Sequence, residues 1–383
     1  MNLPSLILIL AIVTGQLVKL PILNLGVTAL DLCIISLNIY GLWKIKFNFK
    51  KPPLWVYGAL AFIATATISL LLTPLNLEPL QKLTSFSYTI RFASFILFGW
   101  LIYSGAYAIL KSNITKVLTL SGIGLAGLGL LQLIFIPDLY FMSLRGWDPH
   151  YFRTVSALLD PNFLGAYLVL TLLILYRHSH ELRFNRGGAV FAIVYLVLLT
   201  TFSRGAYLMF FVSFAVLCIL NRSIRLGILT ILLSLGLLIG FVGYDKFIAQ
   251  PRNINRVQSA EYRFNSWQQG IRMFQENPIL GVGYNAYRYG LEKYQLADKG
   301  FLNSRGASSN DSSFLFVAAT TGIVGLISYL TFLATLLWSN RKNYIFISGL
   351  IGLITAGFFI NTLFYPFLLI WVILYCTAMQ EVE

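Results

Sequence analysis

The chain has 383 residues, of which 57% are hydrophobic and 11% charged, and its mean hydropathy is +0.76. Soluble domains carry about 25% charged residues, so water is not the main solvent for this fold. The formal charge of +14 is then a signal of membrane topology before it is a footprint of nucleic-acid binding.

After Met1 and Asn2 the chain opens on an apolar run, with no basic n-region and no small-residue cleavage site; this reads as a retained span rather than a removable signal. Runs long enough to cross a hydrocarbon core, about 20 residues each, lie near 3–18, 25–43, 55–73, 87–107, 115–136, 157–176, 188–202, 204–220, 224–243, 312–337, 343–360 and 362–378. They predict an all-α, polytopic membrane protein, one domain over 1–383 with about twelve transmembrane helices. The pair that meets at Ser203-Arg204 also reads as one broken helix. Cys33, Cys218 and Cys376 all sit within these runs, where a thiol behaves as a small hydrophobe.

Loop charges give the sidedness. With a cytoplasmic N-terminus, Lys44, Lys46, Lys50, Lys51, Lys111, Lys116, Arg177, Arg183, Arg186, Arg222, Arg225, Arg341 and Lys342 all lie inside, as the positive-inside rule requires. Both termini are then cytoplasmic, and one span more or fewer would reverse every later loop.

Two outer loops stand out. The first, about 137–156, carries Asp138, Arg145, Trp147, Asp148, His150 and Arg153. The second, 244–311 between helices 9 and 10, is far longer than the usual connection of about four to six residues. Within it Phe264, Trp267, Ile271 and Phe274 repeat at helical spacing, which predicts an amphipathic helix near 260–277, started by Glu261 and ended by Asn277-Pro278. Its apolar face either packs on the loop or lies on the bilayer surface.

The chemistry narrows by exclusion. There is no Walker loop, dinucleotide fingerprint, Cys-x-x-Cys or His-Glu-x-x-His, and His178 and His180 fall in a basic inner loop, leaving His150 alone outside. No metal and no cofactor are expected. The remaining candidates are arginines at the outer face. Arg204 sits where two apolar runs meet, a depth that is costly unless the side chain snorkels, pairs with Asp160 or finds an anion. Arg91 poses the same question near the outer end of its span, and Arg263 lies one residue before Phe264, beside the apolar stripe. Arg272 and Arg288 of the same loop complete the candidate substrate-binding set. Guanidinium forks fit phosphate oxygens bidentately.

Several motifs in order carry a resemblance: Gly15-Gln16-Leu17-Val18-Lys19-Leu20-Pro21 with Asp31, Asp160-Pro161-Asn162-Phe163-Leu164-Gly165, Ser203-Arg204-Gly205, Tyr262-Arg263 with Trp267, Asn277-Pro278-Ile279-Leu280-Gly281-Val282-Gly283-Tyr284, and Asn310-Asp311-Ser312-Ser313-Phe314-Leu315 leading to Thr321-Gly322-Ile323-Val324-Gly325. Together they resemble the bacterial O-antigen ligase and O-antigen polymerase superfamily over essentially the whole chain. The resemblance implies an inner-membrane, polyprenol-dependent, inverting glycosyltransferase facing the periplasm or exterior. Its donor would be a glycan on undecaprenyl diphosphate and its acceptor a second glycan, with a flippase and a chain-length regulator as companions. It carries diphosphate binding onto Arg204 and Arg263, with Arg91 as the basic residue of an earlier helix. Where ligases of this superfamily place a histidine, the sequence has Asp311. A buried carboxylate can take a hydroxyl proton, and Asp311 also reads as the N-cap of the next helix. This departure puts the polymerase first and the ligase second. A transporter, the reading from another class, would need charges along a midplane path, and Asp31 is the clearest acid within a span.

Overall fold

The computed structural model describes residues 1–22, 25–145, 147–181, 185–252 and 256–378. Arg183 lies outside the described residues, as do the side chains of Arg145, His178, His180 and Arg186. In chain order the elements are α1 (Leu3–Thr14), the strands β1 (Lys19–Ile22) and β2 (Leu25–Thr28), α2 (Ala29–Ile45), α3 (Leu54–Leu71), α4 (Pro79–Tyr103), α5 (Ala108–Phe135), α6 (Pro161–Glu181), α7 (Asn185–Thr200) and α8 (Arg204–Asn221). Then come α9 (Ile224–Tyr244), α10 (Arg256–Glu276), α11 (Tyr287–Lys293), α12 (Lys299–Leu302), α13 (Ser313–Ser339), α14 (Tyr344–Ala356) and α15 (Pro366–Ala378).

This is an all-α membrane protein apart from one short strand pair, and each of the twelve apolar runs holds one helix. Counted over the described residues, six of them, α3, α4, α5, α8, α9 and α13, are long and apolar enough to cross a bilayer. Helices α1, α14 and α15, with 12 or 13 residues, reach only about 20 Å. The shortening has local causes: Gly15 turns to positive φ and ends α1, and a turn separates α14 from α15, which starts at Pro366. Helix α15 is buried from Phe367 to Thr377 and packs against α4, α5, α6 and α14. Helix α9 instead leaves Ile231, Leu232, Leu235 and Ile239 exposed. So large an uncovered apolar surface on a folded chain fits a lipid-facing helix.

The first two runs differ from expectation. Strands β1 and β2 pair antiparallel with Lys19 opposite Thr28, so the second helix starts only at Ala29. Asp31 is therefore not deep within a span. It occupies the first turn of α2 in a reciprocal cap with Thr28, which removes the clearest midplane charge from the transporter reading.

Helices α7 and α8 are separate, joined by a turn at Thr201–Ser203. A second break is internal to α13, where Gly322 has φ 66° and ψ −165°. The loop that follows α10 fills this break. Ile323 N–H donates to the Pro278 carbonyl at 2.8 Å, and the N–H groups of Val282 and Gly283 donate to Ala319 and Thr320 at 3.0 and 2.9 Å. Ser69 Oγ of α3 lies 2.6 Å from the Leu280 carbonyl oxygen and 2.7 Å from that of Thr320. The two backbones touch through glycine. A Cβ on Gly322 would meet the Ile279 carbonyl at 2.2 Å, and one on Gly281, also at positive φ, would meet the Thr320 carbonyl carbon at 2.3 Å.

Gly322→Ala and Gly281→Ala should each lower the melting temperature of the purified protein. Each places a side chain in a backbone region that costs about 1–3 kcal/mol, before the clash is counted. Gly127 of α5 has open space around it, so Gly127→Ala should melt at or above the wild-type temperature. Wild-type melting of Gly322→Ala would show that the break tolerates a side chain.

Candidate functional site

The motif residues gather where the N-terminal ends of α6 and α8 face the loop that carries α10. Asp160 caps α6, its Oδ1 accepting from the N–H groups of Asn162 at 2.6 Å and Phe163 at 3.1 Å, with Pro161 in the first helical position where its missing donor costs nothing. Asn162 Oδ1 accepts from Ser203 Oγ at 2.7 Å, and the same hydroxyl caps α8 by accepting from Ala206 N–H at 3.2 Å. One short polar chain thus joins two helix starts. It also fixes Arg204, the first residue of α8. The preceding turn is held from the other side by Arg153, whose Nε donates to the Thr201 carbonyl at 3.0 Å, and by Phe202 stacked on Tyr244 with centroids 4.1 Å apart.

Helix α10 brings Arg263. The aromatic stripe does not form its buried face: Phe264 and Ile271 are exposed, Trp267 and Phe274 half-buried. Buried instead are Ser266, Gly270 and Met273, small or flexible side chains that let α10 approach α13. Arg263 lies three residues before Ser266 and seven before Gly270, on this inner face, and is half-buried rather than aimed sideways along a surface. Burial lowers its pKa from the ordinary arginine value, Asp311 and Asp160 raise it and Arg204 lowers it further. Those four charges therefore share one neighbourhood.

Asp311 is held by its backbone. Its N–H donates to Ser266 Oγ at 3.0 Å, and the preceding Asn310 is buried, donating to Tyr287 Oη at 2.8 Å and to the Ser266 carbonyl. The cap of α13 is Ser312, whose Oγ accepts from Leu315 N–H at 3.4 Å, so Asp311 is not the helix cap. Its carboxylate makes no hydrogen bond among the described residues, and it sits in the loop ahead of α13. Burial pushes its pKa up to about 6, against the pull of Arg263 and with help from Asp148 and Asp160. The guanidinium groups of Arg204 and Arg263 likewise have no hydrogen-bond partner among the described residues. Two cations and a carboxylate of raised pKa, all without fixed partners, can bind an anion and accept a proton.

The other predicted residues are placed differently. Arg91 is already paired: its Nε lies 2.8 Å from Asp31 Oδ1, and its Nη2 donates to Asp31 Oδ2 at 3.0 Å and to the Gly26 carbonyl at 3.1 Å. It braces α4 against α2 and the strand pair, so a phosphate contact there would be made by a guanidinium already paired with Asp31. Arg288 of α11 donates to the Ser304 carbonyl at 2.7 Å as a strut within the loop, and Arg272 is exposed on α10. Neither is among the charges that act on Arg263 or Asp311. Sequence reasoning missed Ser266, Asn310 and Tyr287, which hold Asp311; Asn310 stood in a quoted motif without a role. Among the described residues no group of three or more His, Cys, Asp or Glu is placed to hold a metal.

Residues 189–330 match the protein family described as O-antigen ligase. The O-antigen ligase of Salmonella typhimurium is 26% identical over 318 residues, covering 78% of this chain and 74% of that protein. The exopolysaccharide production protein ExoQ of Rhizobium meliloti is 32% identical over 79 residues, 20% of this chain and 18% of that protein. The family match takes in Arg204, Arg263 and Asp311.

Ser312→Ala should lower thermal stability by a capping energy of about 0.5–2 kcal/mol, whereas Asp311→Ala should cost no cap. Melting curves of the two variants compare them directly; a loss for Asp311→Ala matching that of Ser312→Ala would return the cap to Asp311.

Proposed function

From a chain that belongs to the O-antigen ligase superfamily, we propose a surface-polysaccharide glycosyltransferase that moves a glycan from undecaprenyl diphosphate to an acceptor hydroxyl. The observation that supports this reading is that Arg263, whose guanidinium is not hydrogen-bonded among the described residues, lies within electrostatic reach of both Arg204 and the unbonded carboxylate of Asp311. The acceptor oxygen attacks the anomeric carbon from the face opposite the diphosphate, giving inversion. Its proton passes to the Asp311 carboxylate. The bond to the diphosphate oxygen breaks with its electron pair, and the two guanidinium groups hold the charge that develops there. A diphosphate needs no general acid to leave, so fixed cations supply the main stabilisation of the transition state.

Between ligase and polymerase, the relatives named above tilt the reading toward the ligase, in which the acceptor is a finished carrier such as a lipid A core. This reverses the order taken from the sequence. Asp311, where ligases of this superfamily place histidine, remains the feature that favours the polymerase, with a second lipid-linked repeat unit as acceptor. Glycan profiles on gels from cells with and without the gene separate them: loss of all attached glycan supports the ligase, and loss of long chains with single repeats retained supports the polymerase. The proposed orientation places residues 250–305 outside and both termini inside. Cysteine labelling that reached the long loop only from the cytoplasm would overturn it.

Arg204→Ala and Arg263→Ala should each cut transfer about a hundredfold or more at unchanged membrane expression, and Arg204→Lys should rescue poorly because a point charge lacks the fork. Full activity in either alanine variant removes that residue from the site. Asp311→Asn should abolish transfer without lowering the melting temperature. For the wild type, the ionised fraction of Asp311 falls as pH drops through about 6, so the rate should fall about tenfold per unit below that point and level off above it. A flat profile between pH 5 and 8, or an active Asn variant, would take the proton-accepting role from Asp311.

A further inference from the structure

A second group of cations lies at the same end of the bundle and is not used by the transfer step. Lys19 of β1, Trp147 of the loop between α5 and α6, and Arg305 of the loop ahead of α13 come together from three distant parts of the chain. The Arg305 guanidinium carbon sits 4.1 Å from the Trp147 ring centroid and Lys19 Nζ 6.0 Å from it. Lys19 is laid across the partner strand, its Cε only 1.6 Å from where a Cβ on Gly26 would be, so the glycine leaves the channel that its stem follows. Arg91 adds a third positive charge nearby.

Among the described residues these charges have no counter-ion of their own. The one carboxylate that acts on Lys19 is Asp31, and both of its oxygens are engaged, Oδ1 by Arg91 Nε and Oδ2 by Arg91 Nη2 and by the N–H and hydroxyl of Thr28. Arg305 makes no side-chain hydrogen bond among the described residues. Stacked on an indole, its guanidinium is held flat while its edge, where the N–H donors lie, stays open. Like charges gathered on an aromatic plate repel one another unless an anion joins them. Burial and the two neighbouring arginines already lower the pKa of Lys19. The residue after Trp147 is Asp148, whose charge acts on Asp311, so this cluster adjoins the proton acceptor rather than standing apart on the surface.

We propose that Lys19 and Arg305, oriented by Trp147, form a second anion subsite that takes an acidic group, carboxylate or phosphate, on a glycan substrate bound at the transfer site. It rests on the glycosyltransferase reading for the identity of the ligand as a glycan. The subsite would select acidic over neutral sugars and is separate from the diphosphate contacts of Arg204 and Arg263.

The test measures binding rather than transfer, so its failure is distinct from failure of the transfer mechanism. Full-length protein in nanodiscs of zwitterionic lipid is titrated with three probes: trigalacturonate, a phosphorylated trisaccharide and a neutral trisaccharide. The wild type should bind at least one acidic probe about tenfold more tightly than the neutral one, and raised salt should shrink the difference. The more tightly bound acidic probe identifies the acid. The pair of substitutions Lys19→Gln and Arg305→Gln should abolish the preference. Arg204→Ala with Arg263→Ala should leave it. Arg305→Gln alone, at an exposed position, reports the effect if the paired variant fails to fold. No acidic preference in the wild type, a preference that survives loss of both Lys19 and Arg305, or one lost with Arg204 and Arg263 would each overturn the subsite.

Discussion

In a hydrocarbon core every broken helix exposes backbone groups that water cannot reach, and each must find a partner within the protein. This chain breaks its helices at Gly322 and between α7 and α8, and the partners it supplies there hold the segments that carry the candidate site residues. At the internal break of α13 the freed groups bond to the loop after α10, which pins the C-terminal end of that helix. Between α7 and α8 the turn carbonyls are taken by Arg153. The site residues therefore hang on backbone geometry that only the folded bundle provides.

The same constraint explains which features were legible in the sequence. Apolar runs marked where helices form, because their length and composition are local properties. The pairing of β1 with β2 and the break at Gly322 depend on bonds between separate segments, and no local pattern announces them. Helix α10 shows the difference within one element: its periodicity was plain, but the most hydrophobic stripe is not the buried one. Contact with α13 demanded small side chains, so Ser266 and Gly270 turned inward and carried Arg263 with them.

For the site, motif order and charge type singled out Arg204, Arg263 and Asp311, and the fold places them in one electrostatic neighbourhood. The pairing of Arg91 was not legible because its partner Asp31 is 60 residues away in the chain. A carboxylate read as lying inside a span instead pairs with that arginine. Once those two are joined, the positive charge left beside the strand pair is that of Lys19, which stood in a quoted motif without a role, and of Arg305, which stood in none.

The cap of α13 carries a consequence for how the reaction centre can diversify. A residue that both closed the helix and handled the proton would be tied to short polar side chains, since few others cap well. On the proposed mechanism the two duties fall on neighbours: Ser312 closes the helix and position 311 is left with none of that work. A histidine there would keep the α13 start intact and shift the pH at which the centre accepts a proton. On that mechanism a carboxylate and an imidazole would be interchangeable at this point, each setting its own pH range, over the same scaffold.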